Sequence, residues 1–241
     1  TRYFSSAASD VYKRQPFIRM AAGFGEASIK HDKERYEHKY EYCDLLVTGS
    51  GPSGLASAYA AAKNGARVIL AEDKPRYGGS LLTSDVNIGN QTGVEWSEKI
   101  IAELKSMSNV TVKNRSQVFG YYDHNMLVMS ERISDHLPKT QKYLPKQRLW
   151  YIRANEVLIS SGSIERPLVF GNNDTPGVML SSAAKEYMKV YGVLVGKKPL
   201  IFTNNDSGYE TAIEFKKNNV NPIILDTRKD PKSAIVDEAK N

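Results

Sequence analysis

Two kinds of apolar pattern alternate along this chain from residue 43 onward. CDLLVT (Cys43–Thr48) and ARVILA (Ala66–Ala71) are short continuous apolar runs, the kind that parallel strands buried on both faces require. Between them LASAYAAAKN is Ala-rich and predicts a helix with its natural stop at Gly65. Strand, glycine-rich turn, helix and strand within about thirty residues make a βαβ unit. Val94–Ser108 then sets Trp96, Ile100, Ile101, Leu104 and Met107 on one stripe, which predicts an amphipathic helix. Val110–Val112, Gln117–Tyr122 and Met126–Ser130 read as strands. Arg148–Arg153 and Glu156–Ser160 read as two more, tightly joined and ending at Gly162. Ser181–Tyr191 predicts a helix. Pro199–Thr203, Ser207–Lys217 and Pro222–Asp226 repeat strand, helix and strand, the only internal repeat in the sequence.

Outside these elements the pattern weakens. Lys30–Tyr42 is polar and highly charged, expected as a solvated helix or lead-in, and Pro16–Gly25 as a short arm. Ser5–Gln15 reads SSAASDVYKRQ, the in-frame translation of a transposase library adapter, so residues 1–15 are expected to lie outside the gene product. Ser233–Asn241 shows no terminating logic after the last strand. The expected organisation is adapter translation at 1–15 and an N-terminal arm at 16–42. A dinucleotide-binding domain follows at 43–180, and the start of a second, degenerate domain at 181–241. The fold class is α/β: a Rossmann-like two-dinucleotide-binding-domain (FAD/NAD(P)-binding) fold whose second domain is incomplete.

Composition narrows the classes. The 241 residues are 41% hydrophobic and 25% charged, enough for a packed core and against wholesale disorder. The net charge of +6 is scattered with no basic block, which argues against a nucleic-acid partner. One cysteine, Cys43, excludes an internal disulfide framework, a Cys-rich zinc site and a C-x-x-C redox pair. No apolar stretch approaches the ~20 residues that span a bilayer. A cytoplasmic protein of a reducing compartment is expected, with no membrane partner.

The chemistry sits in the first βαβ unit. Gly49-Ser50-Gly51-Pro52-Ser53-Gly54 follows the first strand directly and opens the helix. Gly49 permits the tight turn, Gly51 lets backbone approach a pyrophosphate, and Gly54 lets helix pack on sheet. The helix N-terminus presents free N–H groups and a partial positive charge to that pyrophosphate. Glu72 lies 18 residues beyond Gly54, where a carboxylate accepts both ribose hydroxyls of an adenosine and disfavours a 2′-phosphate. In DKPRYGGSLL, the Gly78-Gly79 pair is expected to bring more backbone to the pyrophosphate. In SSGSIERP, Gly162 is read as a further position of close approach. The second unit departs from this pattern. Its strand runs into Asn204-Asn205-Asp206-Ser207-Gly208, with one glycine where three are wanted, so one nucleotide site is expected rather than two.

These residues resemble the α subunit of heterotetrameric sarcosine oxidase. The likeness is carried by IRMAAGFG, by CDLLVTGSGPSGLASAYAAAKNGARVILAEDKPRYGGSLL and by YYDHNMLVMSERISDHLP. It continues in QRLWYIRANEVLISSGSIERPLVFGNNDTPGVML and YGVLVGKKPLIFTNNDSGY. The resemblance implies a complex that oxidises sarcosine to glycine. Electrons pass from FAD in a β subunit to FMN at the α/β interface and then to oxygen, and tetrahydrofolate receives the one-carbon unit. It implies a flavin-bearing β subunit and smaller subunits as partners, and NAD resident in the first nucleotide domain of α. FAD or ATP in the same site is the alternative, as in the α subunits of related amino-acid dehydrogenases and hydrogen-cyanide-forming oxidases. Carried over residue by residue, the nucleotide contacts fall on the glycine turn with Pro52 and Ser53, on Glu72, Asp73 and Lys74, on Gly79 and Ser80, and on Val118. Val118 suits an adenine contact and an ordinary core position equally. The family's folate-binding domain has no counterpart in this sequence.

No residue is assigned a catalytic or metal-binding role. His31 and His38 sit in the charged lead-in, and His124 and His136 have no partner at metal-ligand spacing. Cys43 opens a buried strand and reads as a core thiol. Trp150 reads as packing. Asp174 in NNDTPG reads as a turn former, in the loop where an interfacial flavin would be approached. A nucleotide-stabilised scaffold that holds a catalytic partner is the reading of a different class.

Overall fold

The computed structural model describes residues 14–23, 25, 29–138 and 143–240. Its chain forms two compact units, one ending at Glu34 and the other beginning at Arg35. In the first, residues 14–21 form an exposed helix, α1, and Arg19 Nε donates to the Gly25 carbonyl at 3.0 Å. Residues 1–13, which carry most of the adapter match, lie outside the described residues.

The second unit opens with β1 (Tyr36–Thr48), α2 (Pro52–Lys63) and β2 (Val68–Ala71). A short hairpin, β3 (Asn87–Ile88) with β4 (Gln91–Thr92), leads to α3 (Gly93–Ser106). Then come β5 (Val110–Lys113), β6 (Ser116–Tyr122), β7 (Met126–Arg132) and β8 (Gln147–Ile159). Six of these strands make one sheet in the order β5-β2-β1-β8-β7-β6. Its first four strands are parallel, and β7 and β6 return antiparallel as a meander. The α/β class stands, with a mixed sheet.

Two strands of this sheet differ in extent from the sequence expectation. The first strand starts at Tyr36, within a run expected as helix or lead-in. The two strands expected at 148–160 are one continuous strand, β8. Both differences have the same cause. YEHKYEY is charged but alternates, and β8 supplies a matching partner along its whole length. Glu37 stands opposite Arg148 in register, and the Arg148 Nε donates to its carboxylate at 3.0 Å. On the opposite face Tyr40 stacks on Tyr151 with ring centroids 5.1 Å apart. Cross-strand pairs of this kind hold a polar strand that propensity alone does not predict. At Asp44 the regular pattern is interrupted, where the amides of Asp44 and Leu45 both donate to the Arg67 carbonyl, at 2.9 and 3.1 Å. Alternation therefore slips by one, and Cys43 and Leu46 reach the same core.

The sheet has a core on each face. One packs Val47, Val68 and Leu70 against Leu55, Ala58 and Ala62 of α2 and Ile100, Ile101 and Leu104 of α3. The predicted stripe of α3 is thus its buried face. Its N-terminus carries a capping box, in which the Glu95 amide donates to Thr92 Oγ1 at 3.2 Å and the Thr92 amide donates to Glu95 at 2.8 Å, worth about 1 kcal/mol. The other core joins Cys43, Leu46 and Ile69 to Leu127, Met129, Trp150 and Ile152. It ends in a charged network: Trp150 Nε1 donates to Glu131 at 2.6 Å, and Lys113 Nζ sits 3.5 Å from Glu131 and 4.1 Å from the centre of the Trp150 ring. Burial holds the Lys113 ammonium below its ordinary pKa.

Downstream, α4 (Ser181–Tyr191) precedes β9 (Leu200–Thr203), α5 (Ser207–Lys217) and β10 (Ile223–Asp226). The last two strands pair in parallel, and Ile201 packs with Ala184 and Met188 of α4 and Ala212 and Phe215 of α5. A helix the sequence reading did not anticipate, α6 (Ala234–Lys240), buries Val236 and Ala239 beside Tyr209.

Candidate nucleotide site

The glycine turn is placed by backbone bonds from both neighbouring strands. The Gly49 amide donates to the Ala71 carbonyl at 2.8 Å, and the Ser160 amide donates to the Thr48 carbonyl at 2.9 Å. Gly49 takes a φ of +102°, and a Cβ there would lie 2.4 Å from the Ser160 carbonyl oxygen. Gly54, inside α2, is tighter: a Cβ would lie 2.0 Å from the Gly49 oxygen and 2.6 Å from Ser160 Oγ. Neither position admits a side chain.

Gly51 differs from both. It has φ −67° and ψ −178°, open to any residue, and a Cβ built there meets nothing within 4 Å. It is the N-cap of α2, with Pro52 following, no side-chain cap and no acid in the first turn. Ser53 is exposed beside it. The amides of the first turn of a helix have no intrahelical acceptors, so their donors and the positive end of the dipole face open space. The double glycine closes one side of it. Gly79 adopts φ +54°, and a Cβ there would lie 2.8 Å from the Gly51 Cα. The Gly78 amide donates to the Ser50 carbonyl at 3.1 Å. Ser80 follows, exposed, in a single 3-10 turn over Gly79–Leu82. The cradle has the form that the pyrophosphate of a dinucleotide fills, and the residues present fit that group.

Glu72 is placed differently from the simple expectation. It is only 6% exposed and turned to the glycine turn, where one carboxylate oxygen accepts from Ser50 N at 2.8 Å and from Ser50 Oγ at 2.5 Å. The other accepts from the Lys74 amide at 3.0 Å. A carboxylate offers about four lone-pair directions, so one remains for a ribose hydroxyl, not two. Burial, reinforced by the neighbouring Asp73 carboxyl, raises the pKa of Glu72 against the lowering by Ser50.

The structure thus brings together Gly49, Gly51, Pro52, Ser53, Gly54, Glu72, Gly79 and Ser80. Lys74 points elsewhere, its Nζ donating to both carboxylate oxygens of Glu186 on α4 at 2.9 Å. Val118 is half-buried against the Cys43–Trp150 core. Gly162 has φ +72° and meets nothing within 4 Å; the residue that touches the turn from this segment is Ser160, whose hydroxyl donates to the Thr48 and Gly49 carbonyls at 2.9 Å. Ser50 and Ser160 were not singled out from the sequence. The signal for Ser50 was its place inside the turn, opposite an acid at the end of β2.

Comparison with known proteins follows these positions. Residues 44–135, which hold the turn, Glu72 and the double glycine, match the family described as FAD dependent oxidoreductase. Over 215 residues, 89% of this chain, the sequence is 44% identical to sarcosine oxidase subunit alpha of Rhizobium meliloti (strain 1021). The chain is a relative of sarcosine oxidase subunit alpha. The subunit alpha of Corynebacterium sp. (strain P-1) is 36% identical over 208 residues, 86% of this chain. In both cases the match covers 22% of the relative, so the chain spans about a fifth of the length of these curated subunits alpha. Among solved structures, L-proline dehydrogenase from P. horikoshii superposes with a TM-score of 0.64 at 20% identity, covering 86% of this chain and 40% of the other. That likeness shows a shared Rossmann-like α/β fold.

Proposed function

We propose that this chain binds an adenine dinucleotide at the glycine turn as a component of a heteromeric flavoprotein oxidase that oxidatively demethylates sarcosine to glycine. The observation that carries the binding is the open space over Gly51, framed by the uncapped N-terminus of α2 and the backbone of Gly79. The names of the relatives support the reaction and the oxidoreductase class. NAD is the first reading of the nucleotide, from the resemblance to the sarcosine oxidase α subunit. FAD is the second, favoured by the family that residues 44–135 match. Either would place its pyrophosphate against the amides of α2, with Glu72 accepting one ribose hydroxyl. In this reading a flavin-bearing β subunit takes the hydride from the amine, with FMN at the interface and FAD in that subunit, and this chain supplies no catalytic residue. A cytoplasmic setting belongs to the same reading, with Cys43 a buried free thiol.

The test is denaturing release of nucleotide from the purified chain followed by mass spectrometry. NAD supports the first reading and FAD the second; a chain that retains neither, and binds neither when they are added, overturns the site. The chain alone is expected to show no sarcosine turnover, and measurable oxidation without a partner would refute the division of labour.

A further inference from the structure

The elements from β1 to β8 and those from α4 to α6 are joined by residues 160–180, which hold no helix or strand. Among the described residues no buried apolar cluster spans the two parts. Two clusters lie wholly in the six-stranded sheet with α2 and α3, and two lie wholly downstream of residue 180. Charge crosses instead. Glu186 and Lys189 stand three apart on α4, on one face of it, and both reach the segment that follows Glu72. Glu186 accepts from Lys74 Nζ with both carboxylate oxygens at 2.9 Å. Lys189 donates to Asp85, which Lys217 of α5 also engages. Glu214 holds Lys189 from the other side at 3.4 Å, and the side chains of that pair are only 17% and 11% exposed. Asp85 therefore closes a partly buried network rather than a lone surface pair. The two ammoniums hold its carboxyl below the ordinary pKa.

This seam runs along the nucleotide site. At one end the Lys74 amide donates to the Glu72 carboxylate at 3.0 Å. Between Lys74 and Asp85 lies the double glycine, and α4 packs against the 3-10 turn Gly79–Leu82. The helix thus borders the space over Gly51 without filling it, since a Cβ there meets nothing within 4 Å. Two bodies joined by one irregular connection and a polar interface move against each other. The ion pairs set how readily they do so.

We propose that the seam is a latch: Asp85 with Lys189 and Lys217, and Lys74 with Glu186, hold α4 against the border of the nucleotide site, and their release lets α4 swing away and the dinucleotide leave. The effect on the dinucleotide rests on the reading above; the latch itself does not. Lys74 becomes a positioning residue in place of the nucleotide contact that the resemblance implied. An apolar interface would hold at any salt, whereas a charged one yields as ionic strength rises, so nucleotide retention becomes salt-dependent.

Electron–electron resonance distances between nitroxides at Ser106→Cys and Lys229→Cys, exposed positions one in each part, read the latch directly. Cys43 is buried, its thiol pushed up to about 12, and takes no label. One narrow distance distribution is expected at low salt. It should broaden in about 1 M sodium chloride, where screening acts over about 3 Å, and in the Asp85→Asn/Glu186→Gln variant at low salt. Glu186→Lys alone should broaden it, and adding Lys74→Glu should narrow it again, a rescue that a merely structural role would not give. Circular dichroism confirms that each variant is folded. In the Asp85→Asn/Glu186→Gln variant, bound NAD or FAD should dissociate about five- to tenfold faster than from the wild type. A folded Asp85→Asn/Glu186→Gln variant with a distribution as narrow as that of the wild type overturns the latch, whether or not nucleotide binds. A broadened distribution with an unchanged release rate overturns its hold on the nucleotide. A chain that binds no nucleotide overturns that hold together with the site reading, and the distances still decide the latch.

Discussion

The two βαβ units of this chain share a plan and differ at the turn where strand meets helix. In both, a glycine lets the helix sit close to the strand: Gly54 against Gly49, and Gly208, where a Cβ would lie 2.7 Å from Thr203 Cβ. In the first unit the helix N-terminus is left open. In the second it is filled by the protein's own side chains. Asn205 Oδ1 accepts from the Ser207 amide at 2.9 Å and from the Ser207 hydroxyl at 2.6 Å. The acids at the ends of the paired strands diverge in the same way. Glu72 spends its bonds on the turn, whereas Asp226 is engaged by Arg228, whose Nε and Nη2 donate to it at 3.1 and 2.8 Å, and by the Tyr209 hydroxyl at 3.0 Å. Arg228 also pairs with Asp206 at 2.8 Å. The comparison teaches that both units keep their packing glycine to fold, and that Gly51, where a Cβ would meet nothing of the protein within 4 Å, serves what lies outside it.

The largest effect that would break this comparison is at Gly51. Gly51→Val is expected to abolish nucleotide retention outright, since the side chain enters the open space, while costing about 1 kcal/mol of N-cap preference. Mass spectrometry of released nucleotide with a thermal melt checks both halves. Gly54→Ala should destabilise by about 3 kcal/mol, because its Cβ would press on backbone oxygen. Gly208→Ala should cost less, about 1–2 kcal/mol, because its Cβ presses on a threonine side chain. Denaturant titration orders the two, and an equal or reversed order would undo the claim that the first turn is the tighter one.

Smaller changes sharpen it. Ser50→Ala removes a buried bond to a carboxylate and should cost about 1.5–3 kcal/mol, loosening Glu72 and weakening nucleotide binding with it. Asn205→Ala should cost about 1 kcal/mol and leave nucleotide retention untouched. The smallest is a pH effect. Hydrogen bonding from Arg228 lowers Asp226 from 3.8 to about 2. Its contribution is therefore present in full above pH 3.8 and lost as pH falls through about 2. Asp226→Asn should flatten that part of the acid limb of stability and leave the neutral range nearly unchanged.

Much of this was legible beforehand because it is local. The boundaries of α4 and α5 follow from apolar periodicity, and the glycine turn from spacing and from the strand and helix that bracket it. What was missed depends on distant partners. Tyr36–Tyr42 is a strand because Arg148 and Tyr151 stand opposite it, more than a hundred residues away. No local signal foretold that β8 would run unbroken past Asn155, whose side chain donates to Asp44 at 3.2 Å. Helix α6 forms because Tyr209 offers Val236 a place to bury.

The sequence by itself determined the α/β class, the position of the one open glycine turn and the closed character of the second. Each rests on φ preferences and side-chain size, which act over a few residues. Only the tertiary structure decided that Glu72 faces Ser50 rather than open solvent, that Lys74 is tied to Glu186, and that Lys189 and Lys217 share Asp85. Those outcomes depend on where the glycine turn, α4 and α5 come to rest, and a linear chain carries no distance between them until it folds.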